Sequence, residues 1–81
     1  MEQHEAQRWA NALAATLRAE RGVAGKSQAE VERLTGISRS SYRLYEEAKR
    51  QPDTVQLVRI AEAFGVSWLY LLGEVERRAK S

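Results

Sequence analysis

Four side chains within six consecutive positions, Arg39, Ser40, Arg43 and Leu44, have the types and spacing to read the edges of base pairs. An Arg guanidinium can bond both O6 and N7 of guanine in the major groove, a Ser hydroxyl can meet a base or a phosphate, and a Leu can touch the methyl of thymine. On a helix these four positions fall on one side, while Tyr42 and Tyr45, three apart, fall on the other. The tyrosines could instead stack on unpaired bases, but their phase assigns them to a core and leaves the arginines to the outside.

The signals around these residues describe a helix, a tight turn and a second helix between Ser27 and Glu47. Ser27 is placed to cap the first helix, with Glu30 three residues later completing a capping box. Gly36 suits the left-handed residue that ends a helix, so the first helix is predicted to stop at Thr35. Ser38 caps the second, which is expected to run to about Ala48 and not to end in a left-handed residue. Side chains and amides at helix N-termini suit phosphate, which makes Ser27, Gln28 and Ser38 candidates for a nucleic-acid backbone, with Lys26 beside them. Lys49 and Arg50, just past the second helix, are candidates of the same kind. From Arg33 to Arg50 five basic residues (Arg33, Arg39, Arg43, Lys49, Arg50) stand against two acids (Glu46, Glu47), although the whole chain carries only +2. Such a run usually marks a solvated helix face; on a base-reading pattern it marks the side that meets phosphate.

The remaining elements must position this stretch. At 81 residues the chain is expected to be a single domain over 1–81, close to the size at which one core barely suffices. Trp9, Leu13 and Leu17 recur every four positions, with Ala10, Ala14 and Ala15 between them, and predict a first helix from about Glu5 to Arg21. Pro52 and Asp53 open a fourth helix carrying Val55, Leu57, Val58, Ile60, Ala61 and Phe64, and Gly65 closes it. Ser67 caps a short fifth helix, Trp68 to Leu72, ending at Gly73; Glu74–Lys80 is a charged tail or a helical extension. Val66, Trp68, Leu69, Tyr70, Leu71 and Leu72 cannot all face one small core, so an exposed apolar patch is expected there. There is no Cys and one His, His4, near the N-terminus. Neither a metal cluster nor a nucleophile with a partner His is recognisable, so no catalysis, cofactor or small-molecule ligand is expected. No apolar run approaches a membrane span and the N-terminus lacks secretory character, which predicts no membrane and a cytoplasmic protein.

In order and spacing these pieces resemble the helix-turn-helix of the Cro-like phage repressors, a family also named after the xenobiotic response element. The matching pieces are Gln28, Gly36, Ile37, Ser38, Tyr45-Glu46, the basic loop to Pro52, and Ile60 to Ser67. The resemblance implies an all-α, five-helix, lambda-repressor-like domain acting as a homodimeric repressor on an approximately palindromic duplex. It makes Arg39, Ser40, Arg43 and Leu44 the base-reading residues. It further implies that Arg18, within a pattern from Leu17 to Gly22, pairs with Glu46 and lies near the DNA backbone, and that Val66, Trp68 and Leu69 form the two-fold contact. Three departures stand out: Ala24-Gly25-Lys26 is inserted before the first motif helix, Glu32 occupies a crossing where relatives carry Ala or Gly, and Ala48 stands where they often carry Gly. A Glu at the crossing must lean outward or find a cation, and the insertion is expected as a longer loop. Two alternatives stay open: a protein-interaction module on the same scaffold, and an excisionase-like architectural DNA binder.

Overall fold

The structure, a computed structural model, describes residues 3–81. Five helices follow one another: α1 (Gln3–Ala24), α2 (Gln28–Thr35), α3 (Arg39–Glu46), α4 (Thr54–Ala63) and α5 (Trp68–Ala79). There is no strand among the described residues, in keeping with the all-α expectation. At 1.5 Å per residue α1 is about 33 Å long, close to the longest dimension of 35 Å. It is the spine against which α3 and α5 pack, and α2 packs on α3 and α4.

Local chemistry explains most boundaries. Ser27 and Glu30 form the capping box at α2, Asp53 and Gln56 form another at α4, and Ser38 and Ser67 accept from backbone N–H groups at the starts of α3 and α5. Gly36 closes α2 at φ 77°, with its N–H bonded to the Glu32 carbonyl. The main core gathers Leu17, Val31, Ile37, Tyr42, Tyr45, Leu57, Ile60, Ala61, Phe64 and Leu71. Burying these apolar side chains is what holds α2 and α3, at eight residues each, since helices so short are marginal alone.

Three sequence expectations need correction. First, α1 does not stop at Arg21 but continues through Gly22 to Ala24. Gly25, at φ 68°, ends it instead, with Gly25 N–H bonded to the Gly22 carbonyl at 3.1 Å and Lys26 N–H to the Arg21 carbonyl at 3.2 Å. The insertion is therefore mostly absorbed as helix, because a glycine one turn later offers the left-handed residue that such an ending uses.

Second, α5 does not end at Gly73; residues 74–79 continue it. Leu71, Val75 and Ala79 form a buried stripe at i, i+4, i+8, and the latter two pack on Ala12 with Trp9 and Leu13 alongside in a second, smaller cluster. Tyr70 donates to Glu20 at 3.0 Å and Arg78 to Thr16 at 3.1 Å, so α5 runs antiparallel to α1 and is pinned along it. Tertiary burial outweighs the roughly 1 kcal/mol that a glycine costs inside a helix. Being covered by α3 near one end and α5 near the other, α1 buries Ala12, Ala14, Thr16, Leu17 and Glu20, a broader seam than the four-residue repeat alone.

Third, α3 does end in a left-handed residue. Ala48 has φ 60°, Lys49 N–H reaches back to the Leu44 carbonyl at 3.0 Å and Ala48 N–H to that of Tyr45 at 3.3 Å. A Cβ is disfavoured in this conformation, so Ala48→Gly is expected to stabilise the domain by about 1 kcal/mol, read as a higher urea midpoint at unchanged m-value. No change would mean that the loop relaxes without strain.

Candidate nucleic-acid interface

The two sides of α3 differ as its phase requires. Tyr42 and Tyr45 are buried in the core, ring centroids 6.3 Å apart in an edge-to-face arrangement. The Tyr45 hydroxyl donates to Gln56 Oε1 at 3.0 Å and so ties α3 to the start of α4. On the opposite side Arg39, Ser40 and Arg43 are exposed, and together with Gln28 of α2 they line a shallow concavity of about 390 Å³. Leu44 is half-buried and does not line it.

The anchor that sets the angle of α3 is Glu46, its last residue, only 4% exposed. Arg21 approaches with a two-pronged fork, Nε to Oε2 at 2.6 Å and Nη2 to Oε1 at 3.0 Å, and its remaining nitrogen donates to the Lys26 carbonyl at 3.0 Å. Gln28 Nε2 donates to Oε1 at 3.1 Å. One carboxylate thus joins α1, α2 and α3, and Arg21 carries the link on to the α1–α2 loop. Burial by itself would push this carboxyl up, but the Arg21 fork, with Tyr42 and Gln28 behind it, holds it below the ordinary carboxylate range. The Arg21 guanidinium is raised mainly by the same hydrogen bonds. The Tyr42 hydroxyl is raised far above its usual value, first by burial and then by the Glu46 carboxylate it faces, although it falls short of full hydrogen-bond geometry.

Here the expected pairing is corrected. Arg18 does not take the Glu46 carboxylate; its Nη1 donates to the Glu46 main-chain carbonyl, at the C-terminus of α3 where a cation is favoured. Arg21, one turn further along the extended α1, reaches the carboxylate instead. The sequence signal was present, since Arg18 and Arg21 share a face of the expected helix, but only the height of α3 along α1 settles which one reaches the carboxylate.

The other candidates take the following positions. Ser27 and Ser38 each use the hydroxyl oxygen to accept a backbone N–H, at 3.1 and 3.2 Å, while Gln28 is half-buried and turned toward Glu46. Lys26 is half-buried in the α1–α2 loop, and Lys49 and Arg50 are exposed beyond α3. Lys49 lies 3.5 Å and Arg43 3.8 Å from Glu47, a neighbour not singled out by the sequence reading; Arg39 has no ion-pair partner among the described residues. Glu32 is exposed, leaning away from the α2–α3 crossing rather than entering it. Val66 and Trp68 are half-buried against the main core, whereas Leu69 is 74% exposed. The three therefore do not form one exposed patch. Leu69 lines instead a shallow groove with Trp9, Leu72, Gly73 and Val75, next to a larger apolar one of about 460 Å³ between α1, α5 and the α3–α4 loop.

Residues 12–68, more than half of the chain, match the family described as helix-turn-helix domain. The chain belongs to that family. The helix-turn-helix is made by α2, the turn over 36–38 and α3, in a domain type found in Cro-like and xenobiotic-response-element regulators. DNA is the partner that such a domain binds, and the family is typically non-enzymatic. No curated protein and no solved structure matches the chain closely enough to count as a relative. The match leaves out α1 before Ala12 and nearly all of α5, so of the smaller cluster it takes in Ala12 and Leu13 but not Trp9, Val75 or Ala79.

Proposed function

We propose that this helix-turn-helix domain is a sequence-specific duplex-DNA binder that represses transcription as a homodimer, by occupying an approximately palindromic operator. The observation that carries the reading is the contrast across α3: Arg39, Ser40 and Arg43 are exposed on one face while Tyr42, Tyr45 and Glu46 lock the other. A rigid helix with unburied guanidiniums can enter a major groove without losing core contacts. Arg39 and Arg43 then read guanine, Ser40 meets a base or phosphate, and Leu44 contributes from the flank. Lys26, Ser27, Gln28, Ser38, Lys49 and Arg50 follow the backbone, with Arg18 at its edge. Gln28, already bonded to Glu46, has its main-chain N–H at the α2 start left for a phosphate.

Selection of bound duplexes from a random pool at two salt concentrations tests this. Recovery of a palindrome with half-sites about one helical turn apart supports a dimeric reader; binding that is sequence-blind at both salts rejects it. Within that assay, Lys49→Ala or Arg50→Ala is expected to weaken all duplexes alike and to lower the salt slope by about 1. A loss confined to particular base pairs would move these residues into the base-reading set.

The two-fold contact is best supported at Leu69, an apolar side chain 74% exposed in the groove beside Trp9 and Leu72. Leu69→Glu is accordingly expected to give a monomer with weakened operator affinity, read by sedimentation velocity. An unchanged sedimentation coefficient and affinity would remove Leu69 from the interface. The size and apolar lining of the adjoining groove favour one second reading, a protein partner seated between α1 and α5. Binding that persists at high salt would identify it, because an apolar contact lacks the steep salt dependence of phosphate contacts.

A further inference from the structure

An acid stands on the stripe of α3 that the proposed function turns toward DNA. Arg39, Arg43 and Glu47 follow one another at i, i+4 and i+8, and so share one side of the helix. Glu47 is also the C-cap of α3, where the partial negative charge of the helix end disfavours a carboxylate. Nothing in the core repays this placement. The side chain is 39% exposed, and the buried acid that braces α3 is its neighbour Glu46.

What Glu47 does touch is two cations. Its Oε2 lies 3.8 Å from Arg43 Nε, and its Oε1 lies 3.5 Å from Lys49 Nζ. Surface pairs of this kind contribute little to folding. A residue that breaks a local rule without a folding gain points to function, and both of its partners belong to the proposed DNA-facing surface.

We infer that Glu47 is a specificity-determining positioning residue: its charge, on the Nε side of Arg43, biases that side chain toward guanine, and it penalises contacts made through phosphate alone. The inference rests on the reading of α3 as the base-reading helix. The carboxylate lies on the Nε side of the guanidinium, at ion-pair rather than hydrogen-bond distance, which leaves Nη1 and Nη2 as the pair that can meet O6 and N7 together. The restraint also reduces the rotamer freedom that Arg43 loses on meeting a base. At the same time the carboxylate partly neutralises Lys49 and repels nearby phosphates, a cost every sequence bears. Only a site at which Arg43 finds guanine offsets that cost, so one side chain raises discrimination by favouring the right duplex and by disfavouring the rest.

A double-mutant cycle on the full chain tests this, with Glu47→Gln, Arg43→Ala and both together, each titrated against the selected operator and a random duplex of equal length. Glu47→Gln keeps the side chain's size and removes its charge. In the wild-type background it is expected to tighten random-duplex binding several-fold and to lower the operator-to-random ratio by about 10-fold, the discrimination of one bidentate contact. In the Arg43→Ala background the tightening should persist, while the ratio no longer responds to Glu47→Gln. A ratio that falls equally in both backgrounds would show Glu47 reading a base itself, by accepting from cytosine N4, and overturns the positioning role. A ratio unchanged by Glu47→Gln overturns the inference while leaving the base-reading function of α3 in place. A wild-type ratio near one overturns that function and the inference with it.

Discussion

Replacing Glu46 by Gln is expected to cost about 3 kcal/mol of unfolding free energy, the low end for breaking a buried ion pair. The low end applies because the Arg21 side chain retains 24% of its exposure and can recover some water, whereas the carboxylate side retains 4%. Against the roughly 4–12 kcal/mol available to a domain of this size, such a loss leaves little in reserve. The variant would keep one oxygen to accept from Arg21 or Gln28 but would leave a guanidinium facing a neutral amide. The pH dependence separates this cause from general damage. Because the folded-state pKa of Glu46 lies below its unfolded value, its contribution is fully present above the ordinary carboxylate value of 4.5 and is lost as pH falls through the folded value. Wild-type urea midpoints should therefore drop as pH is lowered below about 4.5. Glu30 and Glu74, also held low, but at the surface, add a shallow slope to both proteins. Glu46→Gln should start lower and fall less steeply; two parallel curves would show that the carboxylate's charge is not what braces α3.

Arg43→Ala and Arg39→Ala are each expected to weaken binding to the selected operator by about 1–3 kcal/mol, with discrimination relaxed at one or two base pairs apiece. The Arg43 side chain is 60% exposed and, among the described residues, pairs only with the surface carboxylate of Glu47 while Arg39 has no ion-pair partner, so neither change should move the urea midpoint appreciably. Affinity and stability thus come apart at these positions, and do so in the opposite sense at the core face, where Tyr42 and Tyr45 are buried. Fluorescence anisotropy on the operator and its single-base-pair variants checks this. An equal loss on operator and random duplex would assign the arginines to phosphate rather than to bases.

Much of α3 is legible in the sequence. The periodicity that set Tyr42 and Tyr45 against Arg39 and Arg43 is local, and the helix keeps it. Ser27 with Glu30, Ser38, Asp53, Gly36 and Gly65 mark helix ends through hydrogen bonds and backbone angles that span only a few residues, so their meaning depends little on the rest of the chain. The exposure of Leu69 was likewise foreseeable, because a run of consecutive apolar residues on one helix exceeds what a single face can bury.

Three features depended on the packed chain. Gly73 reads as a terminator until Val75 and Ala79 find Ala12 across more than sixty residues of sequence, and burial then carries α5 through it. Ala48 is not a residue type that favours the left-handed region, although relatives often carry Gly there; it takes that conformation where α3 ends and turns toward α4. Whether Arg18 or Arg21 takes the Glu46 carboxylate is decided only by the height of α3 along α1. Caps and periodicity are energies of neighbours along the chain, and neighbours can be read in order. An ion pair between α1 and α3, or a helix rescued by a distant stripe, is an energy of positions in space, and it exists only once the helices have met.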